Sequence, residues 1–126
     1  MMTTIRQVSL ANGLQIVFTD ESNRYFGDYY RVCVAATIVC DLYDLPAGTI
    51  DEQAVRCQAI DAFGEHLTVV KRFERMGVPT LDVARVRTTL IDDFLQHAAS
   101  YLARPDYLRF LVNAELHKRP IHRYYD

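Results

Sequence analysis

The chain predicts an α+β fold: an antiparallel sheet of three or four strands packed against two to three C-terminal helices. Three observations predict it. Residues 29–40, YYRVCVAATIVC, form the longest run of β-branched, aromatic and small apolar residues, interrupted only by Arg31 and Thr37, which is the pattern of a strand covered on both faces. Residues 3–10 and 14–20, TTIRQVSL and LQIVFTD, flank an Asn12-Gly13 pair, the strongest short-range hairpin signal. From about Leu81 to Ala103, apolar residues recur at helical spacing and form the clearest periodic signal in the chain.

Taken in order, the Asn12-Gly13 pair read as a two-residue type I′ loop sets Ala11 opposite Leu14, Ser9 opposite Ile16 and Gln7 opposite Phe18. One face then gathers Ile5, Ala11, Leu14, Ile16 and Phe18. The segment ESNRYFGD contains Gly27 and several turn formers, so it reads as the turn into the third strand. In that strand Tyr30, Val32, Val34, Ala36, Ile38 and Cys40 share one parity and form the expected core face, while Tyr29, Arg31, Cys33, Ala35, Thr37 and Val39 share the other, which is mixed.

A loop with Pro46 and Gly48 follows, and Thr49 with Glu52 makes a capping box. The helix it starts is expected to run to about Phe63, turn Val55, Ala59, Ile60 and Phe63 inward, and end at Gly64. Residues 66–76, HLTVVKRFERM, fit both a strand and a short helix; the strand reading is preferred. Gly77 and Pro79 break this segment, and Thr80 is placed to cap the long helix. That helix carries Val83, Val86, Leu90, Ile91, Phe94, Leu95, Ala98, Tyr101 and Leu102 on one stripe. Pro105 opens a closing helix to about His117, through Leu108, Leu111, Val112 and Leu116.

At 126 residues the chain has the size of one domain, spanning 1–126. Its formal net charge of −2 argues against a dedicated nucleic-acid binder, which needs a basic face. The start MMTTIRQVSL lacks a signal-peptide pattern, and no apolar run is long enough to span a bilayer, so a cytoplasmic protein with no membrane partner is expected. Cys33, Cys40 and Cys57 have no CxxC spacing and read as reduced thiols, mostly buried.

Two stretches, SNRYFGDYYRV and FERMGVP, resemble parts of a family of short, uncharacterised bacterial proteins. The resemblance covers about a fifth of the chain and implies no activity, cofactor or catalytic residue.

The candidate ligand-binding residues are Arg24, Tyr25, Asp28 and Tyr30, in a segment that groups a guanidinium, a carboxylate and three phenols around Gly27. Such a group can hold a small anionic or aromatic ligand. The plainer reading pairs Arg24 with Asp28 and packs the rings on the sheet. His97, one turn after Asp93 on the long helix, is a second candidate, for a metal or a proton relay, but no ligand spacing joins it to another histidine, and an imidazole bonded to the Asp93 carboxylate is the simpler reading. The tail residues Lys118, Arg119, His122 and Arg123, interleaved with Tyr124 and Tyr125, suggest contact with single-stranded nucleic acid or packing on the domain. Phosphate loops, GxSxG and Walker motifs are absent, so no cofactor and no metal are expected. The reading that remains is a small binding or interaction module, with a small enzyme built on Arg24, Asp28 and a tyrosine as its competitor. A sheet edge left open also predicts a homodimer.

Overall fold

The computed structural model describes the backbone of residues 3–123 and the side chains of residues 3–118. The sheet contains five antiparallel strands: β1 (Thr3–Ser9), β2 (Gln15–Asp20), β3 (Asn23–Phe26), β4 (Tyr29–Asp41) and β5 (His66–Pro79). Helix α1 (Ile50–Phe63) connects β4 to β5, and α2 (Val83–Leu102) and α3 (Tyr107–Arg123) complete the chain. The architecture is α+β, as the sequence predicts.

β4 is the axis of the sheet. β5 pairs with it from Tyr29↔Pro79 to Asp41↔His66, while β2 and then β3 occupy its other edge. The expected core parity is the one observed: Val32, Val34, Ala36, Ile38 and Cys40 are buried, and Tyr30 packs at their margin. They meet Leu14, Ile16 and Phe18 of the first hairpin and Ala59, Leu90, Ile91, Leu108, Leu111 and Val112 of the helices. Cys33 and Ala35, on the opposite face, are also buried but stand outside this core. The arms of Arg72 and Arg31 run across that face to Glu21 (2.9 Å) and Glu74 (2.8 Å). Small side chains at 33 and 35 leave room for these apolar stems to lie flat.

β3 falls where a turn is expected. The ladder continues past Asp20 because Ser22 stands in for backbone: its hydroxyl accepts from the Cys33 amide at 3.0 Å, and the Glu21 amide donates to the Cys33 carbonyl at 2.9 Å. β2 and β3 therefore form one interrupted edge, and only Gly27 and Asp28 make the turn. The ambiguous segment 66–76 is strand, since β4 supplies partners along its full length. Gly77 does not cap a helix; it takes φ +68° at the point where the register between β4 and β5 shifts, as a left-handed glycine does in a bulge.

The first hairpin also differs from expectation. Among the described residues no residue other than glycine has positive φ, which excludes a type I′ loop centred on Asn12. The loop has three residues instead: Gly13 donates to the Leu10 carbonyl at 3.0 Å and takes φ +93°, and the Leu10 amide bonds the Leu14 carbonyl at 2.8 Å. Ser9 therefore pairs with Gln15 and Val8 with Ile16. Leu14, Ile16 and Phe18 still face the core, but Val8 and Leu10 join them in place of Ala11. Ile5 reaches the core because the register shifts between Thr4 and Arg6. Asn12 is held elsewhere, its amide nitrogen donating to the carbonyls of Leu102 (2.6 Å) and Arg104 (3.0 Å) where α2 ends.

The capping box forms as expected, with Thr49 and Glu52 each bonding the other's backbone amide, and Gly64 ends α1. Thr80 does not cap α2. A short 3₁₀ turn, Thr80–Asp82, precedes the helix, and the Thr80 amide and hydroxyl both donate to the Asp28 carbonyl, at 2.9 and 2.8 Å. Tyr101 is exposed, with its ring edge-on to Tyr107. α2 is pinned over the first hairpin by Arg87–Asp20 (2.8 Å) and Arg6–Asp92 (2.9 Å).

Replacing Asn12 by alanine is expected to cost about 1–3 kcal/mol, because the Leu102 carbonyl loses its side-chain donor. Asn12→Asp should cost more, since it sets a carboxylate against two carbonyls; urea unfolding at neutral pH measures both. Burial alone would raise the Asp20 pKa, but hydrogen bonds from Ser22 and the Arg87 guanidinium hold it below the usual carboxylate value. Its ionised form thus stabilises the fold above the unfolded pKa of about 3.9, and this contribution is lost as pH falls through the folded value. Unfolding midpoints should therefore separate native protein from Asp20→Asn at pH 7 and converge in acid.

Candidate functional site

At the end of the sheet where β3, β4 and β5 meet, large apolar side chains stand in solvent. Phe26 is 75% exposed, Tyr25 61%, Tyr29 48%, Met76 50% and Leu81 97%, a concentration well beyond single exposed apolar residues, which are ordinary. Tyr25, Phe26 and Tyr29, together with Gly77, line an open cleft of about 560 Å³. Local pairing explains the placement. Phe26 pairs with Tyr29 across the hairpin, with the register shifting at Tyr25, and Tyr29 and Tyr30 pair with Pro79 and Val78 of β5. Thr80 then ties the tip down through the Asp28 carbonyl.

Of the four residues singled out from sequence, the structure sets Tyr25 in the cleft lining and the other three around it. Tyr30 pairs with Arg24 on the strand face turned towards the helices, and packs against the core. Arg24 and Asp28 are exposed, and among the described residues their side chains form no ion pair with each other or with any neighbour. The internally satisfied turn is thus not what forms: Tyr30 packs on the core, but Tyr25, Phe26 and Tyr29 are out and the two charges have no ion-pair partner among the described residues. Phe26, Tyr29 and Gly77 line the same cleft, and Met76 and Leu81, exposed, flank Gly77 and Pro79 in the chain. Gly77, Met76 and Leu81 escape a reading of residues 23–30 because they lie about fifty residues away in the chain, on the far side of a ladder. Gly77 and Met76 fall within FERMGVP, which β4 pairs beside SNRYFGDYYRV, whereas Leu81 lies beyond it.

The surface beside the cleft is charged but balanced. Arg31 bridges Glu74 and the Asn23 side-chain oxygen (3.2 Å), and Arg72 holds Glu21. Beneath them the Cys33 thiol is pushed up, first by burial and then by the carboxylates of Glu21 and Glu74, against the opposing pull of Arg31 and Arg72.

His97 does not have the expected partner. It is exposed, and its Nδ1 lies 2.7 Å from the backbone carbonyl of Asp93, not its carboxylate. It borders a second groove of about 450 Å³, floored by Phe73, Leu90, Phe94 and Ala98. Among the described residues no three His, Cys, Asp or Glu side chains come close enough to hold a metal ion. Lys118 pairs with Glu115 at 2.8 Å; the rest of the basic aromatic tail, Arg119, His122, Arg123, Tyr124 and Tyr125, lies outside the residues whose side chains are described. Among the described residues, no helix is long and apolar enough to cross a membrane.

The cysteines differ sharply in access. Cys33 and Cys40 are buried and Cys57 is exposed. Burial, with Asp44 and Asp41 nearby, pushes the Cys40 thiol up to about 11, so it stays protonated and unreactive near neutral pH. Titration of folded protein with a thiol reagent at pH 8 should label Cys57 alone, and unfolding should release the other two; fast labelling of Cys33 or Cys40 in the folded protein would contradict this arrangement. No family model matches the chain, and neither a curated protein nor a solved structure is found to be similar to it.

Proposed function

We propose that the chain is a small cytoplasmic interaction module that binds another protein through the aromatic ledge of Tyr25, Phe26, Tyr29, Met76 and Leu81. The observation that carries this reading is the exposure of these five side chains together. Leaving them in water is unfavourable, at about 25 cal/mol per Å² of apolar area, and aromatic residues with methionine are the types enriched in the cores of protein interfaces. The openness of the cleft favours a protein surface over a small ligand, which is typically enclosed on most of its area. It also weighs against the competing enzyme reading: Arg24, Asp28 and the phenols of Tyr25 and Tyr29 are all exposed, whereas proton transfer between a phenol and a carboxylate relies on groups tuned by burial and close neighbours. A homodimer is the simplest assembly that covers such a surface. SNRYFGDYYRV and FERMGVP supply four of the five ledge residues.

A photoreactive benzophenone side chain placed at position 26 tests it in cells. Protein adducts are expected there and not from the same probe at exposed Gln96 on α2. Equal or absent adducts at both positions would reject the ledge as a binding surface. Tyr25→Ser with Phe26→Ser should abolish the association while shifting stability by no more than about 0.5 kcal/mol, as for other exposed substitutions.

A further inference from the structure

The ledge carries two charges that nothing described neutralises. Arg31 and Arg72, on the neighbouring sheet surface, each have a carboxylate within 3 Å; Arg24 and Asp28 have none. They are of opposite sign, lie on one hairpin, and stand on either side of Phe26. A partner of one strong sign would satisfy one of them and repel the other. A copy of the same surface satisfies both.

Resting on the ledge as the binding surface, we infer that its occupant is a second copy of this chain, related by a two-fold axis that sets Arg24 of each copy against Asp28 of the other. A two-fold interface is self-complementary: if residue i meets residue j, then j meets i. Two identical ion pairs therefore form at once from Arg24 and Asp28 of each chain.

The backbone allows this arrangement. Among the described residues β3 pairs only with β4, which leaves its outer edge open to another strand. Antiparallel pairing of β3 with β3 of the second copy lays the two hairpins side by side and brings Arg24 of each alongside the other's Gly27–Asp28 turn, within reach of a long side chain. Tyr25 and Phe26 of both copies then exclude water between them. Burial of the rings supplies affinity, and the charges fix register and partner. A net charge of −2 per chain is small, so two copies repel each other little.

Sedimentation velocity on the full 126-residue chain, over a range of concentrations, tests the proposal. A dimer is expected. Arg24→Asp and Asp28→Arg should each raise its dissociation constant roughly tenfold or more, because each turns two attractive pairs into two repulsive ones. Combining both reversals should bring the constant back near its original value. Both positions are exposed, and unchanged circular dichroism separates lost association from lost folding. A wild type still monomeric approaching about 1 mM, single reversals that leave the constant unchanged, or a double reversal no better than the singles would each overturn it. Adducts from position 26 to a different protein, with a monomeric wild type, would overturn the self-association and leave the ledge as an interaction surface.

Discussion

Every other part of the fold depends on β4 having its backbone groups paired on both edges. A buried strand with an open edge would leave amides and carbonyls without partners at a cost of about 1–3 kcal/mol each, so its thirteen residues require neighbours along their whole length. On one side β5 supplies them without a gap in the pairing other than a single bulge. On the other side no single strand is long enough, and β2 and β3 share the task with Ser22 bridging them. The helices follow from this. Because the continuous apolar parity of β4 points one way, α1, α2 and α3 gather on that face, and the opposite face is left to small residues beneath paired charged arms.

What was legible in the chain is what depends on local chemistry or simple period. Thr49, Glu52 and Gly64 bound α1 because caps act within one turn of helix. Val32 to Cys40 show their core parity because the strand is long and its alternation unbroken. What was not legible depends on partners distant in sequence. Asn12 has the residue type of a hairpin turn, yet its amide is recruited by carbonyls about ninety positions away, and the loop adopts the geometry that permits this. Asn23 to Phe26 look like a turn until Ser22 is seen to fill a missing place in the ladder. Tyr101 fits the apolar stripe of α2 by spacing, but it lies in the last turn, where it reaches Tyr107 and solvent instead of the sheet.

The same division governs the candidate site. Its first half, residues 24 to 30, stands out by composition alone, and Tyr25 lines the cleft. Tyr30 was grouped with it by proximity in sequence, although alternation along a strand turns neighbouring side chains to opposite faces. Gly77, Met76 and Leu81 become part of the surface only through β4–β5 pairing and the Thr80 bonds to Asp28. Such a surface has no linear motif, because half of it is written in one strand and half in another.

The pairing order of β4 and β5 also bears on how the chain acquires this surface. The two strands are joined through α1 at their Asp41 and His66 ends, so the shortest loop to close lies there, and pairing that begins at this end advances towards Tyr29 and Pro79. The ledge sits at the far end of that zipper. Until the last rungs close, the hairpin tip has no β5 beside it and no Thr80 to hold it. A growing chain that has emitted β4 but not β5 carries an apolar strand with one edge unfilled, the kind of species most prone to aggregate. Completion of the ledge coincides with disappearance of that edge, so the sticky surface that remains is the one built by a finished fold.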